Sequence, residues 1–195
     1  MSVSCKRVIR CATLLALGGS MACGVAAASA TVVDREHFQG SETVPDEICG
    51  ISVIRDSEFS GSLRIRAGTG ATDQAFFERV NFRYSDTFTN PENGKSLTIQ
   101  GHSVYNEVKA ERVEGNVFEF TTIEAGQPFV LTDSSGRVIL RDRGLVRSLV
   151  LFDTLGDSMP GGQTLDVSTI RVSGPHPAFD LTDEEFCGVV ESLIG

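Results

Sequence analysis

The sequence predicts an all-β fold: an antiparallel meander barrel or a two-sheet sandwich of about ten short strands, with one C-terminal helix. Three observations support this fold class. From Ile51 onward, apolar and polar residues alternate with period two, as they do in half-buried strands. Turn residues interrupt that alternation at short intervals, which favours hairpins. A convincing helical pattern occurs only near the end of the chain.

The clearest predicted strand covers residues 78–88. One of its faces carries Val80, Phe82, Tyr84 and Phe88, and the other carries polar residues. Residues 90–95 then predict a turn, because Pro91 fixes φ and the Asn93-Gly94 pair tolerates positive φ. The alternation resumes with Leu97 and Ile99 and continues through further short segments.

The end of the chain predicts a bulged strand and a helix. Between residues 164 and 172 the apolar positions change phase, which is typical of a β-bulge. Thr182 and Glu185 have the spacing of a capping box, so a helix is expected over residues 183–194. The apolar stripe of this helix is expected to pack against a sheet or the mouth of a barrel.

The first thirty residues predict a cleavable secretory signal. Three basic residues precede an apolar run over residues 12–27, and the run ends in Ala28-Ser29-Ala30. Signal peptidase accepts this small-x-small pattern, so cleavage between Ala30 and Thr31 is expected, and the protein would be secreted. Three alternatives stay open: a retained membrane anchor, lipidation at Cys23, and a twin-arginine signal.

Removal of the signal peptide leaves a flexible lead-in, residues 31–48, and a single β domain, residues 49–195. The lead-in is expected because its residues are polar and acidic and include Pro45. Of five cysteines, only Cys49 and Cys187 remain after processing. Two cysteines in an exported protein predict a disulfide, here one that joins the start of the domain to its last helix.

The net charge argues against some classes of partner. The whole chain carries −9, and the signal takes away Lys6, Arg7 and Arg10 and no acid, so the mature chain carries about −12. So acidic a protein is not expected to bind nucleic acids or anionic lipids through a basic patch. No membrane span is expected after processing.

The sequence contains no strong catalytic, cofactor or metal signature. The nearest nucleophile motif surrounds Ser103, but Tyr105 stands where a nucleophile elbow requires glycine. The three histidines lack the spacing of a compact zinc site. We therefore expect no catalytic residue, no cofactor and no metal.

Two polar residues interrupt rows that the alternation places in the interior. Asp86 shares a row with Phe82 and Tyr84, and Asn106 lies between Val104 and Val108. A buried carboxylate needs a partner or water. Most simply, both residues lie near strand ends or within hydrogen-bonded networks. Alternatively, Tyr84, Asp86 and Asn106 form a polar spot in an apolar barrel mouth and orient a small ligand.

The mature chain resembles a group of secreted actinobacterial proteins of unknown function. Three segments carry the resemblance: Cys49-Gly50-Ile51, residues 89–99, and the strand-turn-strand over residues 129–140. The resemblance implies an exported β domain and no particular activity.

Together these observations predict a secreted, non-catalytic β-domain protein that binds a small apolar ligand or a partner in the cell envelope. Two other classes remain: a structural or surface-associated protein, and an extracellular enzyme of unrecognised type.

Overall fold

The computed structural model describes residues 31–195, which form one antiparallel seven-stranded sheet followed by one helix. The helix, α1, spans Asp183–Ile194 and begins at the predicted capping box of Thr182 and Glu185. The strands are β1 (Val32–Ile48), β2 (Ile51–Ala67), β3 (Phe76–Thr89), β4 (Ser96–Glu114), β5 (Val117–Asp133), β6 (Val138–Asp153) and β7 (Gln163–Ser173). Their order in the sheet follows their order in the chain. The all-β antiparallel class and the C-terminal helix are thus confirmed.

The strands are fewer and longer than expected, seven strands of 11 to 19 residues. Segments predicted as separate short strands merge into β4 and β5, because bulges near Gly101 and Gly126 keep each strand continuous. The predicted bulge in β7 is confirmed by two register shifts against β6. Within residues 31–195 there is one sheet with β1 and β7 at its edges, and neither closure into a barrel nor division into a sandwich is seen.

Residues 31–48, predicted as a flexible lead-in, form most of an edge hairpin instead. β1 pairs with β2 from Val32 opposite Arg66 to Ile48 opposite Ile51. Cys49 and Gly50 both have positive φ (54° and 79°), as a tight two-residue hairpin turn requires. The prediction was wrong because an edge strand that is exposed on both faces has no apolar alternation.

The helix covers one end of one face of the sheet. Val190 and Ile194 are fully buried there against residues of β1 to β5: Ile48, Val53, Phe88, Leu97, Phe129 and Leu131. The predicted turn at residues 90–95 holds the end of the helix, since Asn90 and Asn93 donate side-chain hydrogen bonds to the carbonyl oxygen of Ile194 (2.8 and 3.0 Å). These bonds satisfy a helix-terminal carbonyl that lacks a partner within the helix.

The predicted disulfide is confirmed: Cys49 in the β1–β2 turn is bonded to Cys187 in α1. It connects the helix covalently to the end of the sheet on which it packs. A disulfide is compatible with an extracellular location. A second apolar cluster fills the opposite end of the sheet and contains Ala75, Ala110, Phe118 and Phe120.

The predicted signal peptide, its cleavage after Ala30 and lipidation at Cys23 concern residues 1–30, which lie outside the described residues. Within residues 31–195, no helix has the length and apolar character needed to cross a membrane.

Candidate functional site

The sheet has two distinct faces. The face that contacts α1, here called the helix face, carries Val53, Phe88, Leu97 and Leu131. The other face, here called the open face, carries the alternate residues of each strand. Directly paired residues on neighbouring strands point to the same face, so the strand registers assign each side chain to one of the two.

The three predicted ligand residues do not form one cluster. Tyr84 and Asp86 lie on the helix face, in the same row of β3 as Phe88. Asn106 is paired with Arg79, an odd-numbered residue of β3, and therefore lies on the open face. The prediction that Asn106 lies on the same face as the β3 row of Tyr84 was wrong. Val80 of that row is paired with Tyr105, so the odd-numbered residues of this part of β4 share its face and Asn106 does not.

The Tyr84 hydroxyl already has a structural partner, because it donates a hydrogen bond to the carbonyl oxygen of Pro128 at 2.9 Å. Its ring stacks on Phe82, with 5.7 Å between the ring centroids. Asp86 is paired with Ser57 on one side and with Ile99 on the other, and it is half-buried beside the core under α1. The Tyr84 side chain therefore connects β3 to β5 on the helix face.

A line of arginines crosses the open face. We call it the arginine row. It consists of seven directly paired residues, one on each strand from β1 to β7, of which five are arginines: Arg35, Arg64, Arg79, Asn106, Ile123, Arg147 and Arg171. All five arginines are exposed. With neighbouring strands about 4.8 Å apart, the row is about 29 Å long.

Among residues 31–195, the arginines of the row have no acidic partner. The ion pairs among residues 31–195 involve Arg55, Lys109 and Arg137, and none involves an arginine of the row. Like charges directly opposite each other in a sheet repel and destabilise it. Arg35, Arg64 and Arg79 stand on three successive strands, so this arrangement is unfavourable for folding alone.

A groove runs across the open face beside the arginine row. Its volume is about 790 Å³, and it spans five strands. Its walls are two rows of residues from the open face, His37, Ser62, Asn81, Val104 and Ala125 on one side and Gln39, Ser60, Arg83 and His102 on the other. Between them, the floor is formed by Phe38, Gly61, Phe82, Ser103 and Gly126.

The floor of the groove follows a line along which β4 and β5 are irregular. Gly126 has φ 141°, and a Cβ there would lie 2.6 Å from the carbonyl oxygen of His102. Only glycine allows both that backbone conformation and that close approach. The β4–β5 register also shifts between Gln100 and His102. Such a bulge bends a strand, which accounts for a groove at this place.

The arginine row and its groove are rich in cationic side chains. The arginine row and the two groove walls contain six arginines and two histidines among the described residues and no Asp or Glu. The helix face of the same strands carries Asp34, Glu36, Glu42, Asp46, Glu78, Asp86, Glu107 and Glu124, and the open face outside the row and the walls also carries acids, among them Asp56, Glu58, Glu119 and Asp166. The arginine row and the groove walls thus form a cationic band on an acidic protein.

Sequence reasoning missed the arginine row. A two-residue turn at Cys49-Gly50, placed between two strands, would have set Arg35 opposite Arg64. This turn was not recognised, because residues 31–48 lack the regular apolar alternation of a strand.

Three interacting side chains are partly buried on the helix face. Glu107 accepts hydrogen bonds from the backbone N–H of Glu78 (2.7 Å) and from the Tyr105 hydroxyl (3.2 Å). Burial raises the pKa of Glu107 to about 8, and the nearby Glu78 adds to this, while the two hydrogen bonds oppose it. Burial also raises the pKa of Glu78 and that of Tyr105.

A buried polar pair, Asp142 of β6 and His176 of the segment between β7 and α1, connects these two parts of the chain. Asp142 accepts backbone hydrogen bonds from Ala178 (2.8 Å) and Phe179 (3.1 Å). Burial raises the pKa of Asp142, while these bonds and the neighbouring His176 act in the opposite direction. His176 is only 4% exposed. The pair fixes the path of the chain into the helix.

The remaining candidates for chemistry do not converge. His102 is exposed on the open face beside Arg83, and Ser103 points to the helix face. Within residues 31–195, no group of three or more His, Cys, Asp or Glu side chains is placed to hold a metal ion. The arginine row and its groove are therefore the candidate site.

Comparisons of the chain with protein-family models, with curated proteins and with solved structures find no match. The resemblance to secreted actinobacterial proteins stays a prediction.

Proposed function

We propose that this protein is an exported, non-catalytic binding domain whose open face holds a linear anionic polymer of the cell envelope. The observation that supports this proposal is the arginine row: five exposed arginines in register, without acidic partners in residues 31–195. Export is supported by the basic N-terminus and the Ala28-Ser29-Ala30 pattern, and the disulfide is compatible with it.

Guanidinium groups favour phosphate or carboxylate as the bound group. Each guanidinium is planar, permanently charged and able to donate two parallel hydrogen bonds to an oxyanion. Repulsion among Arg35, Arg64 and Arg79 is relieved when an anion lies between them. A structural role in the free protein would not explain three adjacent like charges, whereas an anionic ligand does.

The shape of the site favours a polymer over a flat membrane. The groove crosses β1 to β5 parallel to the arginine row, with Arg83 and His102 on its far wall. A chain with one charge in each repeat can lie in the groove and contact cations on both sides. A planar bilayer reaches the rims of a groove but not its floor.

Binding of long-chain inorganic polyphosphate, a linear polymer with one charge per repeat, tests the proposal. We expect the Arg64→Gln/Arg79→Gln double variant to bind at least ten-fold more weakly in a titration followed by fluorescence anisotropy. Its affinity should also depend less steeply on salt, because fewer counterions are released on binding. Since the substitutions remove repulsion, the variant should be at least as thermally stable as the wild type.

The matched control is Lys109→Gln/Arg137→Gln, which removes the same charge from sites outside the row and the groove. It should bind polyphosphate almost as tightly as the wild type. The proposal is wrong if both double variants lose affinity equally, or if the wild type does not bind. It is also wrong if anionic lipid vesicles bind more tightly than the polymer.

A further inference from the structure

The outer edge of β7 is unprotected. β7 pairs with β6 on one side and is the last strand of the described sheet, so half of its backbone N–H and C=O groups face outward. Ten of its eleven residues are exposed. Edges of this kind are templates for pairing with another strand, and soluble proteins normally block them.

The opposite edge of the sheet is blocked in the usual way. β1 carries charged residues along its whole length, and Pro45 removes one backbone donor. Charges and proline at an edge discourage pairing with another chain. In contrast, β7 contains only two charged residues, Asp166 and Arg171, and no proline.

The β7 edge is also apolar for an exposed strand. Leu165, Val167 and Ile170 are 48, 57 and 49% exposed. Exposed β-branched residues on an unpaired strand favour association through that strand. Pairing with a further strand would reduce this exposure.

The sequence of β7 is complementary to itself. We propose that β7 pairs antiparallel with β7 of a second copy of this chain, about a two-fold axis at Ser168. Asp166 and Arg171 both point to the open face, because they pair with Leu151 and Arg147 of β6. In the proposed register, Asp166 of each copy faces Arg171 of the other.

The irregularities of β7 are compatible with this register. Between its two register shifts, residues 166–169 pair regularly with β6, and the axis lies within this stretch. Ile170 is the extra residue against β6, so Arg171 follows Thr169 on the next pairing position. Arg171 Nε donates a hydrogen bond to Ser173 Oγ (3.0 Å). The two terminal amino groups of Arg171 remain for the Asp166 carboxylate of the second copy.

This association joins two seven-stranded sheets into one, and it does not depend on the proposed polymer binding. A symmetric contact in which the same surface meets itself is the commonest way for identical chains to dimerise. The two Asp–Arg pairs set the register, since a shift by one residue would turn the charged residues to opposite faces.

Sedimentation equilibrium of the protein produced from the full chain tests the proposal. The wild type should be a dimer at micromolar concentrations. Asp166→Arg and Arg171→Asp should each raise the dimer dissociation constant by about ten-fold or more, because two attractive pairs become repulsive. An equimolar mixture of the two variants should restore the dimer, since each introduced charge then faces its opposite.

Val167→Lys should also dissociate the dimer, by placing a charge at the centre of the edge. The matched control is Glu36→Arg on β1, which reverses an acidic residue on the opposite edge and should leave the dimer intact. A monomeric wild type throughout the concentration range would overturn the proposal. So would a dimer that none of the three β7 variants weakens, or a mixture that remains monomeric.

Discussion

Glu107 should make the protein less stable as the pH rises through neutrality. Its carboxyl lies on the helix face beside Glu78 and Tyr105, and burial raises its pKa from 4.5 to about 8. An unfolded chain releases this proton near pH 4.5, whereas the folded chain keeps it to about pH 8. Between these values the unfolded state binds fewer protons, so the free energy of unfolding falls as the pH increases.

The size of the effect follows from the two pKa values. At 1.36 kcal/mol per pKa unit, the change from 4.5 to about 8 corresponds to a loss on the order of 5 kcal/mol across the window. A loss of that size is a large part of the stability of an ordinary domain. The contribution of Glu107 is fully present below pH 4.5 and absent above pH 8.

Glu107→Gln should remove most of this pH dependence. The amide is neutral at every pH, and its oxygen can still accept the hydrogen bond from the Glu78 N–H. We expect the variant to match the wild type near pH 5 and to exceed its stability at pH 8.5. A smaller dependence should remain, because burial also raises the pKa of Glu78. Urea unfolding at a series of pH values measures these differences.

The matched control is Glu111→Gln, at an exposed carboxylate of the same strand, which should leave the pH dependence unchanged. Two results would refute the reasoning. One is an identical slope of stability against pH for the wild type and Glu107→Gln. The other is a wild type whose stability rises between pH 5 and pH 8.

Two further predictions concern the way the sheet is held together. Cys187→Ser should lower the melting temperature on the order of 10 °C, because the disulfide spans 138 residues of chain. In calorimetry, the reduced wild-type protein should melt at the same temperature as the variant. Equal melting temperatures of the reduced and the oxidised wild type would contradict this. Gly101→Ala should cost about 1–3 kcal/mol in urea unfolding, because its Cβ would meet the Pro128 carbonyl oxygen and approach the Tyr84 ring to 2.7 Å. Gly188→Ala in α1, where the Cβ meets nothing within 4 Å, should be neutral or stabilising, and equal losses at the two sites would show that crowding is not the cause.

The elements that sequence reasoning identified are those with a local signal. The capping box of Thr182 and Glu185 marks where α1 begins, and the cysteine count leaves a single pairing. The strand around Val80 and Phe82 has a clear alternation because its helix face is half-buried. Each of these signals depends on residues close together in the chain.

The elements that it missed depend on pairing between distant residues. β1 is recognisable as a strand only through its register with β2, since apolar residues are too few on either face to alternate regularly. The face of Asn106 likewise depends on the β3–β4 register, which pairs it with Arg79. A shift of one residue moves every side chain of a strand to the other face, so a correct alternation can still give a wrong site.

The net charge of the whole chain does not reveal the arginine row, for the same reason. A net charge of −9 describes the protein at a distance, whereas a bound ligand responds to the groups it touches. Charges more than about 8–10 Å away are largely screened at physiological salt. A polymer on the open face would contact Arg35, Arg64 and Arg79 directly, while Glu36 and Glu78 point away from it on the helix face. Across the thin sheet, those acids offset part of the repulsion among the three arginines, and the arginine row itself stays cationic.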